Sequence, residues 1–168
     1  REVTYLKPPD KDEAGTPNFF GVMSLINSLS LINTIGYDYI EEHEKILLDH
    51  ILSGLKSIPG IINYGDVEDI SDRLGIATFN IDKMYHRDVA EILAKKNGIS
   101  VRHGWFCAHP YCRRLMNVTE EEAKLFLENP NEKMLGMIRI SFAIYNSVNE
   151  VDTFLNVIEG ICKNNIKK

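Results

Sequence analysis

A basic surplus is missing from this chain: 19 lysines and arginines stand against 24 aspartates and glutamates, for a formal charge of -5. That balance argues against a nucleic-acid-binding surface and leaves local basic patches only at Arg113-Arg114 and in 163–168. No long uncharged apolar run is present, which excludes a membrane-spanning helix. Cysteine is sparse, with three residues, an odd number, and no signal peptide is expected. Free thiols in a reducing compartment are expected rather than a disulfide framework, with the cytoplasm as the expected location. Internal repeats and low-complexity tracts are lacking as well. What is present is a 44% share of hydrophobic residues over 168 positions, enough for one proper core, and the expected partner is a small molecule. Residue 1 is Arg rather than Met, and residues 1–9 resemble neither a targeting peptide nor a tidy domain start, so a piece cut from a longer protein is expected.

From Asn18 to Ile35 the apolar residues Phe19, Phe20, Val22, Met23, Leu25, Ile26, Leu29, Leu31 and Ile32 are so dense that a helix buried on most sides is expected, stopped by Gly36. Residues 37–58 continue as a helix with Ile40, Ile46, Leu47, Ile51, Leu52 and Leu55 on one face. Its acidic residues Glu41, Glu42 and Glu44 fall in the early turns, where the helix dipole favours them, and Pro59-Gly60 ends it. Short strands are then predicted at Ile61–Tyr64, Ile76–Ile81, Ile99–Arg102 and Met137–Ile144. Helices interleave with them over His86–Lys96, from the capping box Thr119–Glu122 to about Glu128, and from Asn146 or Ser147 through Cys162. Such an order suggests an α/β sandwich, a short sheet with helices packed on one face. Residues 36–168 are expected to form one domain, compact from about residue 60, and residues 1–35 to be part of a neighbouring domain.

The stretch Gly98–Pro110 carries the richest chemistry: a strand leads into a loop that holds Cys107, with Arg102, His103 and His109 nearby in sequence. A partly exposed thiol near positive charge can act as a nucleophile, whereas the bland alternative is a small buried hydrophobe. That bland reading suits Cys112 and Cys162 better. Residues His103, Cys107, His109 and Cys112 are types that zinc accepts, yet no Cys-x-x-Cys pair exists and the spacings match no familiar zinc module, so no metal is expected. Arg139 sits in an otherwise apolar strand, where a charge either faces solvent or waits for a carboxylate that it grips bidentately. In the turn Glu13–Asn18, Thr16 and Asn18 are candidate helix caps, and Gly15 with Thr16 offers donors suited to a phosphate at a helix N-terminus.

Taken in order, the motifs Glu-Ala-Gly-Thr-Pro-Asn (13–18), His-Glu (43–44), Asp-Val-Ala (88–90), Gly-Ile-x-Val-Arg-x-Gly (98–104), Cys-Ala-x-Pro (107–110) and Arg-Ile-Ser-Phe-x-x-Tyr-Asn (139–146) span nearly the whole chain. They resemble the C-terminal part of the class V aminotransferase family of pyridoxal-phosphate enzymes, in its cysteine desulfurase and selenocysteine lyase branch. The resemblance implies the small C-terminal domain of a fold type I transferase, preceded over 1–35 by a remnant of the large cofactor-binding domain. It implies Cys107 as the acceptor of sulfur or selenium from cysteine or selenocysteine, Arg139 as the clamp on the substrate α-carboxylate and Arg102 as a second arginine in that site. Thr16 matches a contact to the cofactor phosphate made across a homodimer interface, and a sulfur-acceptor protein is the implied partner. Three departures are visible: Trp105 and Phe106 replace a frequent His-His pair, Lys11 replaces a common arginine, and the segment 117–136 is extended. The lysine that carries the cofactor in this family has no match here, so the chain by itself is expected to be inactive. An aminotransferase or carbon–sulfur lyase without persulfide chemistry, and a non-catalytic binding domain, are the alternative readings.

Overall fold

The computed structural model describes residues 3–13, 15–128 and 135–166, so part of the extended 117–136 segment lies outside the described residues. Two compact units are present, Arg1–Ile40 and Glu41–Lys168.

In the first unit a 3₁₀ turn, Asp10–Asp12, precedes helix α1, Phe19–Ile35. Asn18 caps α1 by accepting a hydrogen bond from the Gly21 N–H at 3.0 Å. Gly36 closes it at φ 91°, a conformation most side chains resist, with its N–H donating to the Ile32 carbonyl. The expected burial of this helix is corrected: none of its residues is buried, and Phe20 is 83% exposed. Its apolar side chains surround the axis rather than forming one stripe, and density alone does not place anything against them. The apolar run is also broken by Ser24, Asn27, Ser28, Ser30, Asn33 and Thr34, and among the described residues no single helix is long and apolar enough to cross a membrane.

Most of helix α2, Tyr37–Ser57, belongs to the second unit. Its buried residues are Leu47, Leu48, Ile51, Leu52 and Leu55, the stripe that a 3.6-residue period produces. Ile46 falls off that stripe and is exposed, contrary to expectation. Strands β1 (Ile61–Tyr64), β2 (Ile76–Ile81), β3 (Arg102–Gly104) and β4 (Met137–Ser141) form an antiparallel sheet in the order β1-β2-β4-β3. Helices α3 (His86–Asn97), α4 (His109–Leu115), α5 (Glu120–Glu128) and α6 (Val148–Ile166) complete the unit. The α5 and α6 starts are capping boxes: Thr119 pairs with Glu122 and Ser147 with Glu150, each side chain meeting the other's backbone N–H.

The core is built from one sheet face. Ala77, Phe79 and Ile81 alternate inward along β2, and Ile138 of β4 sits opposite Phe79. Against them pack the α2 stripe, Val89 and Leu93 of α3, and Val151, Phe154 and Ile158 of α6. Phe79 meets Phe154 edge-on, with centroids 6.0 Å apart. Helices α2 and α6 approach closely at Gly54, where an added Cβ would stand 2.3 Å from Leu155.

One predicted strand shifts. Instead of Ile99–Arg102, β3 begins at Arg102, because Gly98 adopts a left-handed conformation and Ile99 N–H donates to the Leu93 carbonyl, so that Gly98 and Ile99 close α3. β4 likewise stops at Ser141 rather than Ile144.

Candidate functional site

Register decides which strand residues leave the core. Arg139 is the Cα partner of Thr78 on one side and of Arg102 on the other, one residue out of phase with Ile138. Since side chains alternate faces, Thr78, Arg139 and Arg102 share the face away from the Phe79 core. Like charges directly opposite on paired strands repel, and among the described residues neither arginine has a carboxylate partner. An anion placed there would relieve the repulsion.

Cys107 lies on the short turn from β3 to α4. Phe106 and Cys107 both hold positive φ, 54° and 59°, and the turn is closed by the Ala108 N–H donating to the Trp105 carbonyl at 2.9 Å. Consecutive non-glycine residues in that region are strained, and such strain persists only where the surroundings enforce it. Here the enforcement is visible on both sides. Phe106 lies beneath the Arg139 guanidinium, 5.3 Å from ring centroid to Cζ, and Trp105 stacks on His109 of α4 at 5.3 Å with a 12° interplanar angle. The Cys112 thiol donates to the Trp105 carbonyl at 3.1 Å and so ties α4 to the same turn.

The three thiols differ as expected. Cys107 is exposed, whereas Cys112 and Cys162 are buried and burial pushes both their pKa values up, which keeps them as inert thiols. Several N–H donors near the turn have no acceptor: Trp105 Nε1, Arg113 Nε and Arg139 Nε are buried and unpartnered. On the core side of β3, His103 Nδ1 lies 3.1 Å from Nδ1 of the buried His86. No group of three or more metal-ligating side chains gathers among the described residues. A cavity of about 300 Å³ between residues 98–101, the end of β4 and the start of α6 is lined by none of Cys107, Arg102, Arg139 or Thr16.

The structure therefore joins Arg102, Arg139 and, through Phe106, the turn that bears Cys107. Thr16 belongs to the first unit, exposed on the turn before α1. Asn18, not Thr16, makes the cap, so the Thr16 hydroxyl is not used by the helix. Sequence reasoning missed Phe106 as a partner of Arg139, and it missed α4. A signal for the helix existed in Pro110 at its first turn, a position that proline favours.

Comparison with known proteins identifies the family. The model of the class-V aminotransferase family matches residues 1–154. A probable cysteine desulfurase of Pyrococcus abyssi is 35% identical over 157 residues, 94% of this chain and 34% of that protein. A cysteine desulfurase of Serratia proteamaculans is 32% identical over 161 residues, again 34% of its length, so the chain spans about a third of the curated relatives it matches. Among solved structures, the apo cysteine desulfurase of Thermococcus onnurineus NA1 superposes with a TM-score of 0.78 at 33% identity, covering 95% of this chain and 35% of that one. A cysteine desulfurase of Escherichia coli in its S-sulfonic acid form gives a TM-score of 0.71 at 26% identity, with the same coverage of both chains. The resemblance in the motifs, the match over most of the length and the shared fold agree: the chain belongs to the class-V aminotransferase family.

Proposed function

We propose that this chain supplies the substrate-carboxylate and sulfur-accepting side of a pyridoxal-phosphate-dependent cysteine desulfurase. The observation that carries the reading is the pair Arg102–Arg139, opposed on adjacent strands without a described carboxylate, beside a turn that leaves Cys107 exposed. Guanidinium groups so placed bind an amino acid's α-carboxylate.

The described residues fit the cofactor in part. Thr16 and the Gly15 backbone, with Gly15 at φ 136°, offer uncommitted donors for a phosphate, in keeping with a contact to the neighbouring subunit of a homodimer. When bound, pyridoxal phosphate serves as an electron sink for bonds at the substrate's α-carbon. Arg139 holds the carboxylate, Arg102 adds positive charge beside it, and the Cys107 thiolate attacks the substrate sulfur. An S–S bond forms as the carbon–sulfur bond breaks. The electron pair of that bond stays with the carbon fragment, which takes up a proton and leaves as alanine, while Cys107 keeps the sulfur as a persulfide for an acceptor protein. Selenocysteine, with its analogous selenol, is a second substrate of the same chemistry, and the cytoplasm is the proposed location. The chain by itself, without a match to the cofactor lysine, should show no absorbance band of lysine-bound cofactor and no stoichiometric borohydride-trapped adduct with pyridoxal phosphate.

Replacing Cys107 with Ala in the full natural protein tests the role of the thiol. Alanine and sulfide release from L-cysteine should fall by more than about a thousandfold, the scale on which loss of a nucleophile acts. Undiminished release would transfer the reading to a carbon–sulfur lyase or aminotransferase on the same scaffold, which the apolar Trp105 and Phe106 beside the thiol would suit.

A further inference from the structure

We propose that Phe106 is the positioning residue for Arg139, its ring orienting the guanidinium so that the terminal nitrogens face the α-carboxylate of an amino acid. The inference rests on the reading of Arg139 as the carboxylate clamp.

A free arginine fork on a strand has several rotamers, and binding a planar carboxylate through two parallel hydrogen bonds requires one of them in advance. Proteins commonly hold such a fork with an acidic side chain. None serves Arg139 among the described residues, and its Nε is buried without an acceptor. The contact that remains is the Phe106 ring, 5.3 Å from the guanidinium carbon. A ring attracts the cation through its face and uses none of its N–H donors, so the fork is fixed while its hydrogen-bonding capacity stays available. An acidic partner would have oriented the fork and also competed with the substrate for it.

The backbone supports the same conclusion. Phe106 holds a left-handed φ of 54°, unusual for a bulky residue, and Cys107 follows at 59°. That turn carries the ring and the thiol on successive residues. Arg139 comes from β4, a different segment of the chain, so Phe106 links the carboxylate clamp to the loop that bears the nucleophile.

The test uses phenylglyoxal, which modifies exposed guanidinium groups, on the full natural protein, with labelling of Arg139 read by peptide mapping. L-Alanine should protect Arg139 in the wild type and alanine methyl ester should not. Phe106→Leu should raise the L-alanine concentration needed for half-protection about three- to thirtyfold, the range of a cation–π contact, and Phe106→Tyr should restore it. Phe106→Met serves in place of the leucine variant if that fails to fold. Equal protection of the wild type and the ringless variant overturns the proposal, as does failure of L-alanine to protect the wild type. If the wild type shows the protection pattern yet releases no sulfide from L-cysteine, the desulfurase reading fails and the positioning role of Phe106 stands.

Discussion

Along β2 and β4, alternate residues lead to opposite environments. Ala77 and Phe79, with Ile138, meet three helices and lose nearly all contact with water, while Thr78 and Arg139, one position away, pair with each other on the other face, where Arg139 also faces Arg102 and the Phe106 ring. The first face has tight apolar packing, including an edge-on aromatic pair. On the second there are unpartnered N–H donors and paired positive charge. The packed core and the proposed site are thus carried by the same strands and lie on opposite sides of the pleat, although Met137, on the Arg139 side, is itself buried. A substitution on one face should act on folding, and on the other face on binding.

The sharpest way to break this comparison is to change neighbouring residues of β2. Phe79→Ala should cost about 3–5 kcal/mol in chemical denaturation, the usual cost of an emptied aromatic site, whereas Thr78→Ala should cost less than about 1 kcal/mol. Similar losses at both positions would show that the faces are not distinct. Next in size is Gly136→Ala. A Cβ there would lie 2.6 Å from His86 Nε2 and 2.8 Å from the Gly104 backbone, so β3 and β4 must shift, at a cost of about 1–3 kcal/mol measured the same way. Arg139→Lys keeps the charge and loses the planar fork. In the full natural protein KM for L-cysteine should rise about tenfold or more while the thermal midpoint stays within a few degrees.

The smallest effect concerns pH. Backbone and hydroxyl hydrogen bonds from Ser147 hold the Glu150 carboxyl below the usual carboxylate range, so its folded-state pKa lies under its unfolded one. The stability this contributes is fully present above the unfolded value, about 4.3, and is lost as pH falls through the folded value. The thermal midpoint of Glu150→Gln should therefore lie below that of the wild type at pH 7, and the gap should close as acid protonates the carboxyl. A constant gap would mean that the α6 cap does not depend on the ionised carboxylate.

Much of this molecule was legible from residue order. β1, β2 and α1 begin and end where alternation, apolar density and Gly36 place them, and the Thr119–Glu122 box starts α5 as its spacing requires. The distinction of Cys107 from Cys112 and Cys162 was also readable, since only Cys107 stands in a loop among aromatic and basic residues. β3 was misplaced by three residues because the α3 cap takes up Gly98 and Ile99, a competition between backbone hydrogen bonds that alternation of side chains does not reveal. The Phe106 contact was hidden for a similar reason. Nothing in a Trp-Phe-Cys string announces two successive left-handed residues.

By itself the sequence determined most of the element types, α4 excepted, the apolar face of the sheet and the family motifs, because these depend on periodicity and on residues close together in the chain. Only the tertiary structure decided that Arg102 faces Arg139 and that Phe106 lies under that arginine. Those pairings join residues more than thirty positions apart, and strand register and backbone strain, which set them, are properties of the assembled sheet.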